Sequence, residues 1–208
     1  DNWNDSSSLL DGYGLAILRG GEGDDKRAFW MFYGRARSHV HDNIMDIGLQ
    51  SHQGVIMGQL GYPRNWGQWE GLWSSHHVAR QFPYKQHVAR AQYLADAGIA
   101  HVTEALARDH TEFGDDGLRS EPDESFWQRR TLALVDVGPN RYYTVDLYRV
   151  AGGDDQWMSF YCQEADFTTE GLDLTAQPTG TLAGADVPYG SVEWMKANGC
   201  SEHPTYGW

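Results

Sequence analysis

Short runs of apolar and aromatic residues, separated by glycine-rich polar clusters, repeat along most of this chain. The clearest apolar runs lie at 15–19, 27–37, 126–137 and 143–151. Clusters of Gly, Asp, Pro and Asn lie at 20–25, 114–117, 138–140 and 152–155. Runs of this length, bounded by turn residues, are typical of β-strands joined by hairpins. The pattern therefore predicts an all-β, antiparallel chain.

One segment, 86–108, is ambiguous. Its apolar positions fit a helical spacing, but Gly98 divides it and the residues after Gly98 alternate between apolar and polar. Alternation indicates a half-buried strand, whereas the wider spacing indicates a helix. A helix and a pair of strands are both compatible with this segment alone.

Length and composition indicate one sizeable core. The chain has 208 residues, 24 of them glycine, and 13% of its residues are aromatic. All-β chains of this length routinely form one domain, so we predict a single domain over 1–208. Because the chain begins with Asp1 and ends within a strand-like segment at Trp208, we expect it to be truncated at both ends.

The net charge and the hydropathy of the chain limit the kinds of partner that it can bind. The net charge of −13 makes nucleic acid an unlikely ligand, because Lys and Arg must neutralise phosphates to bind it. No apolar run approaches the roughly 20 residues that span a bilayer, so we predict no membrane span. Much of the negative charge lies in predicted turns, where it is solvated.

Two histidines near the end of an aromatic-rich stretch are the first candidates for chemistry. His39 and His41 are two residues apart, so they share a face if the strand that begins at Arg27 continues through them. Arg35 and Arg37 would then lie on the same face. Imidazoles in such a place can transfer protons, balance a carboxylate or bind a metal, although two surface histidines are an equally simple interpretation.

Aromatic residues supply a second set of candidates. Trp66, Trp69 and Trp73 lie close together around glycines, and Tyr62 precedes a proline. Exposed rings of this kind stack on sugars, and buried ones close a core. For Trp30, Trp127 and Trp157, which lie in apolar runs, we predict core positions.

Five segments in a fixed order resemble the heparinase II/III-like family of polysaccharide lyases. They are Leu15-Ala16-Ile17-Leu18-Arg19, the stretch from Ser38-His39-Val40-His41-Asp42 to Gly61-Tyr62-Pro63, Trp73-Ser74-Ser75-His76-His77-Val78, 126–137 and 143–153. The resemblance covers most of the chain. It implies a supersandwich-like β-sandwich, with strands in 86–108, and a helical α/α toroid elsewhere in the parent protein. The sugar chain lies between toroid and sandwich in this family.

The resemblance also implies a chemistry. Lyases of uronate polymers remove the proton next to the sugar carboxylate and expel the 4-linked sugar by β-elimination, which needs charge neutralisation, a base and an acid. By position, His39 matches the family's sandwich histidine, while the toroid supplies most of the other groups. The candidate substrate-binding residues are then Arg35, Arg37, Tyr62, Trp66 and Trp69.

A structural zinc site is implied with one departure from the family pattern. His41 matches a zinc ligand, and His76 or its neighbour His77 matches another, but Gln59 occupies the position of the usual Asp. A neutral carbonyl oxygen is a poor ligand for zinc. Asp42 or Asp46 could replace the carboxylate, or the histidines could form a hydrogen-bonded network without metal.

Two classes of function follow from these observations. The first is a secreted or periplasmic lyase that acts on an acidic polysaccharide. The second is a non-catalytic β-sandwich that binds carbohydrate or supports a neighbouring domain.

Overall fold

The structure is a computed structural model, and its described residues form an almost entirely β fold. It describes residues 6–34, 43–58, 76–82, 87–109, 124–160, 168–173, 179 and 186. The strands are β1 Ser8–Leu10, β2 Leu15–Gly20, β3 Arg27–Phe32, β4 Asp46–Ser51, β5 Gly54–Met57, β6 Ala79–Phe82, β7 His87–Asp96, β8 Ala100–Asp109, β9 Trp127–Gly138, β10 Arg141–Ala151 and β11 Asp155–Met158. One 3-10 turn, Gly23–Asp25, joins β2 to β3.

These strands form two large antiparallel sheets and one small one. The first sheet has the order β1-β2-β3-β4-β5, the second β10-β9-β8-β7, and a two-stranded sheet pairs β11 with β6. Strand β2 packs across β8 and β9, so the two large sheets face each other. The predicted all-β, antiparallel sandwich is confirmed.

The core lies between the two large sheets and follows the alternation of each strand. In the first sheet Leu18 pairs with Phe29, and Phe29 pairs with Leu49, which places the three side chains in one row. Leu132 and Leu134 of β9 are completely buried in the same apolar cluster. Alternating residues of these strands therefore define the inner faces.

The predicted hairpins agree with the structure wherever its residues are described. Within the segment 86–108, the described residues from His87 onward form β7 and β8, which pair around Gly98, a residue with a φ of +79°. Strands β9 and β10 also pair antiparallel, from Arg141 opposite Gly138 to Ala151 opposite Trp127. The helical alternative for 86–108 is wrong.

Two expectations about individual segments need correction. Strand β3 ends at Phe32, opposite the first residue of β4, and therefore does not continue to residue 37. Beyond Phe32 the partner strand has ended, and the Tyr33 amide bonds instead to the Gly14 carbonyl at 2.6 Å. Trp157 is 44% exposed because β11 belongs to the small sheet, outside the main core. Trp30 and Trp127 are half-buried rather than fully enclosed.

Membrane-spanning helices were not expected, and the described residues contain no helix long and apolar enough to cross a bilayer.

Candidate functional site

Four buried polar side chains meet at the end of the five-stranded sheet where β4 begins. Asp46 is the first residue of β4, His76 and His77 precede β6, and Arg130 lies in β9. None of the four is more than 1% exposed. Buried charge is expensive unless it is paired, so the contacts of these residues determine what the site can do.

Asp46 holds His76 in one orientation. Its Oδ2 lies 2.9 Å from His76 Nδ1, and its Oδ1 accepts hydrogen bonds from the backbone amides of Ile47 and His77, each at 2.9 Å. A carboxylate at Nδ1 favours the tautomer protonated there and leaves the lone pair on Nε2. The pair therefore presents an imidazole suited to accept a proton or to bind a metal through Nε2.

Arg130 connects the histidine segment to the second sheet. Its Nε and Nη2 bind the two oxygens of Asp146 at 2.8 and 2.6 Å, and its Nη1 donates to the carbonyl of Met45 at 2.6 Å and to that of His77. The guanidinium also lies 4.3 Å from the ring centre of Tyr148. A bidentate carboxylate and two carbonyls match the fork of a guanidinium, which explains how this charge is buried.

The backbone of Met45, directly before Asp46, is strained. It is fully buried and has a φ of 68°, in the left-handed region that non-glycine residues seldom adopt. Such strain persists where surrounding contacts determine the conformation, and here Arg130 holds the Met45 carbonyl. The unusual backbone turns the chain directly before Asp46.

Burial changes the acidity of two neighbouring side chains. Desolvation, reinforced by Arg130, lowers the pKa of His77, whose ring lies 5.0 Å from that of Phe160. Desolvation likewise raises the pKa of Tyr148 to about 12. Both side chains are therefore neutral at physiological pH.

A second group of hydrogen bonds extends from Tyr148 to the small sheet. The Tyr148 hydroxyl lies 2.6 Å from Gln128 Oε1, and Gln128 Nε2 donates to Gln81 Oε1 at 2.9 Å. Gln81 donates in turn to the carbonyl of Ala151. These contacts tie β6, β9 and β10 together beneath the histidines.

Sequence reasoning missed Arg130, Gln128 and Gln81. One signal was present: Gln128 and Arg130 occupy the same alternating face of β9 as Leu132 and Leu134, where a polar residue must have a buried partner. The sequence suggests Asp46 only as a replacement metal ligand. In the structure its oxygens contact His76 and two backbone amides, which suits an orienting role better.

Of the predicted site residues, His76, its alternative His77 and the alternative ligand Asp46 lie within the described residues. The other predicted site residues lie outside the described residues; they are His39, His41, Arg35, Arg37, Gln59, Tyr62, Trp66 and Trp69. Gly34 and Asn43, which flank segment 35–42, both lie at the same end of the sheet as Asp46. The described part of the chain contains no group of three or more metal-ligating side chains, whereas His76, oriented by a carboxylate, has the chemistry of a single zinc ligand.

No protein-family model matches the chain, and no curated protein matches it either. The function must therefore be argued from the residues and the fold.

Proposed function

We propose that this chain is the sandwich part of a polysaccharide lyase that cleaves a uronate-containing polymer by β-elimination. The observation that supports the proposal most directly is the buried Asp46–His76 pair at 2.9 Å. It lies at the end of the sheet where the chain leaves at Gly34 and returns at Asn43. The eight intervening residues, 35–42, carry His39 and His41.

In this proposal His39 neutralises the uronate carboxylate or takes part in proton transfer. Neutralisation lets negative charge develop next to the carboxylate when the C5 proton is removed. Arg35 and Arg37 bind carboxylates of the polymer, since guanidinium matches carboxylate geometry. Tyr62, Trp66 and Trp69 provide rings on which sugars stack. The remaining base and acid come from an α/α toroid partner.

The proposed metal site is structural. His76, held at Nδ1 by Asp46, offers Nε2, and His41 and Gln59 complete the set that the family resemblance implies. Zinc in this position would hold together the loops that carry His39. We propose a secreted or periplasmic location for such an enzyme, because its acidic polysaccharide substrates are extracellular.

The test is ultraviolet absorbance of the unsaturated uronate product. The full-length protein that contains this chain is incubated with alginate, ulvan, heparan and chondroitin chains. Rising absorbance with one polymer supports β-elimination and names the substrate. If a folded protein gives no signal with any of them, the lyase proposal fails and the non-catalytic carbohydrate-binding or scaffold function replaces it.

A pair of variants tests the role of His39. His39→Ala should reduce turnover at least a hundredfold, in line with the loss of a proton-transfer group, while the melting temperature stays within a few degrees. The matched control is His52→Ala, since His52 has a half-exposed side chain at the opposite end of β4. Equal turnover in the two variants would show that His39 takes no part in the reaction.

A further inference from the structure

The outer face of the four-stranded sheet is apolar where contact with water favours polar side chains. In β9, Leu132 and Leu134 point into the core, so Ala133, Val135 and Val137 point outward. An antiparallel sheet with one face in water normally alternates apolar with polar residues, whereas a strand covered on both faces is apolar at successive positions. This part of β9 therefore has the sequence of a strand that is covered on both faces.

The pairing of the strands extends this apolar surface across the whole sheet. Three neighbouring rows of outward positions, which we call the outer patch, consist of Tyr93, Glu104, Thr131 and Leu147, then Ala95, Val102, Ala133 and Val145, then Ala100, Val135 and Tyr143. The side chains of Tyr93, Tyr143 and Leu147 are 42%, 52% and 56% exposed. Large exposed apolar surfaces of this kind mark sites of protein association.

Charge is kept to the borders of the outer patch. Within its three rows the one charged side chain is Glu104, which is buried, accepts a hydrogen bond from Thr131 Oγ1 at 2.7 Å and lies 3.5 Å from Arg149 Nη2. The arginines on this side of the sheet lie beyond the patch, with Arg90, Arg108, Arg129 and Arg149 towards one end of the strands and Arg141 at the other. An apolar centre with a charged border is the usual composition of a protein interface.

The outer face is large enough for a stable dimer. With strands of 10–12 residues, a spacing of about 4.8 Å between strands and a rise of about 3.4 Å per residue, four strands present roughly 650 Å². Two such faces in contact would bury roughly 1,300 Å², and stable interfaces bury about 1,200–2,000 Å².

The outer patch is also suited to contact a copy of itself. Its central row contains only alanine and valine, and small side chains let two sheets approach to the usual separation of about 10 Å. A two-fold axis along this row lays Tyr93 and Leu147 of one copy over the row of Tyr143 in the second copy. A two-fold axis is the commonest symmetry of soluble oligomers and brings the same surface of both copies together.

We propose that the outer face of the four-stranded sheet is the interface of a homodimer, in which the second copy covers the outer patch. This inference goes beyond the lyase function and does not rest on it. The outer face lies on the opposite side of the sheet from the buried side chain of Arg130 and its contact with the histidine segment. Dimer formation requires no catalysis.

The experiment is sedimentation velocity of the 208-residue chain over a range of concentrations. We expect a discrete species of twice the monomer mass that dissociates on dilution. Tyr143→Lys/Leu147→Lys should weaken dimerisation by at least about tenfold, because each ammonium would be buried in an apolar interface. Tyr93→Lys tests the other edge of the patch and should act in the same direction. Circular dichroism establishes that each variant is folded.

A matched control introduces the same charges on exposed apolar side chains elsewhere. Tyr13→Lys/Val55→Lys alters residues of the first sheet and its connecting turn that are 68% and 48% exposed, and it should dimerise as the unaltered chain does. A monomer at every concentration, or aggregates without a discrete dimer, would overturn the proposal. So would a dimer that the patch variants and the control weaken equally or not at all, whatever the result of the lyase assay.

Discussion

At the scale of single residues, Arg130 connects the parts of the buried polar site. Its guanidinium binds Asp146 and two backbone carbonyls, and it packs on Tyr148, while no part of its side chain reaches solvent. Its partners come from three separate segments of the chain, around residues 45, 77 and 146. The geometry of His76 and His77 therefore depends on a residue distant from both in sequence.

We predict that Arg130→Met lowers the free energy of unfolding by about 3–5 kcal/mol, because it leaves Asp146 and the two carbonyls without their buried donor. Urea denaturation followed by circular dichroism measures the change. Arg130→Lys should lose most of the same stability, since an ammonium cannot reproduce the bidentate contact.

The matched control is Arg149→Gln in the adjacent strand. The Arg149 side chain is 57% exposed, and its Nη2 lies 3.5 Å from Glu104 Oε2, at the long limit of a hydrogen bond. The substitution should therefore cost less than about 1 kcal/mol. A loss for Arg130→Met no larger than that of the control would show that the buried contacts do not stabilise the fold.

At the scale of elements, close contact between β3 and β4 depends on a glycine. Gly48 lies opposite Trp30, and the indole occupies the space that a side chain would need. A glycine inside a strand leaves room for a neighbouring group, and at Gly48 that group is the ring of Trp30.

We predict that Gly48→Ala destabilises the chain by about 1–3 kcal/mol, because the ring must move to a less favourable rotamer. Tryptophan fluorescence during urea unfolding measures the change in stability. Gly12→Ala is the control: nothing lies within 4 Å of its added carbon, so its effect should stay within about 0.5 kcal/mol. Equal effects at the two glycines would contradict the packing argument.

The β4–β5 hairpin contains a strained turn. Its two loop residues, His52 and Gln53, have φ values of 50° and 61°, which favour Asn and Gly. Gln53→Gly should therefore stabilise the chain by about 0.5–1 kcal/mol, measured as an increase in the urea midpoint.

The same substitution at a regular strand position should act in the opposite direction. Gln50 lies in β4, opposite Ala28, and Gln50→Gly should cost about 0.5–1 kcal/mol through lost backbone restriction. If both glycine variants are destabilised equally, the turn is not strained.

At the scale of the whole molecule, the two large sheets share one core. Leu134 of β9 is fully buried in the cluster that includes Leu18 and Phe29 of the first sheet. The sheets should therefore unfold together rather than one at a time.

We predict that Leu134→Ala lowers the free energy of unfolding by about 2–5 kcal/mol through the cavity it creates. Hydrogen exchange should show reduced protection in both β2–β4 and β8–β9. Val137→Ala, at a side chain that is 55% exposed on the same strand, should leave protection nearly unchanged. Loss of protection confined to β8–β9 would indicate that the sheets are independent units.

The strands and hairpins were largely predictable because their determinants are local. Alternation placed Leu132 and Leu134 on one face, and the residues around Gly98 and Pro139 located two turns. The strand after Arg27 was predicted too long, because the sequence does not show where its partner β4 begins. The prediction that Trp157 lies in the core was wrong for a similar reason, since β11 pairs with β6, a strand distant in sequence.

The candidate site was only partly predictable. Histidine spacing and the family resemblance directed attention to His76, but its contact with Asp46 spans 30 residues of sequence, and that of Arg130 with His77 spans 53. No local pattern encodes such contacts.

The sequence by itself determined the fold class, the positions of most strands and the face that each presents, because alternation and turn chemistry act over a few residues. The tertiary structure alone decided which polar residues are buried together. Asp46 acquires His76 as a partner only when the segment before β6 packs against the start of β4, and Arg130 reaches the Met45 carbonyl only when β9 packs against that end of the first sheet. Burial then makes each partner essential, since a charge removed from water must be neutralised where it lies.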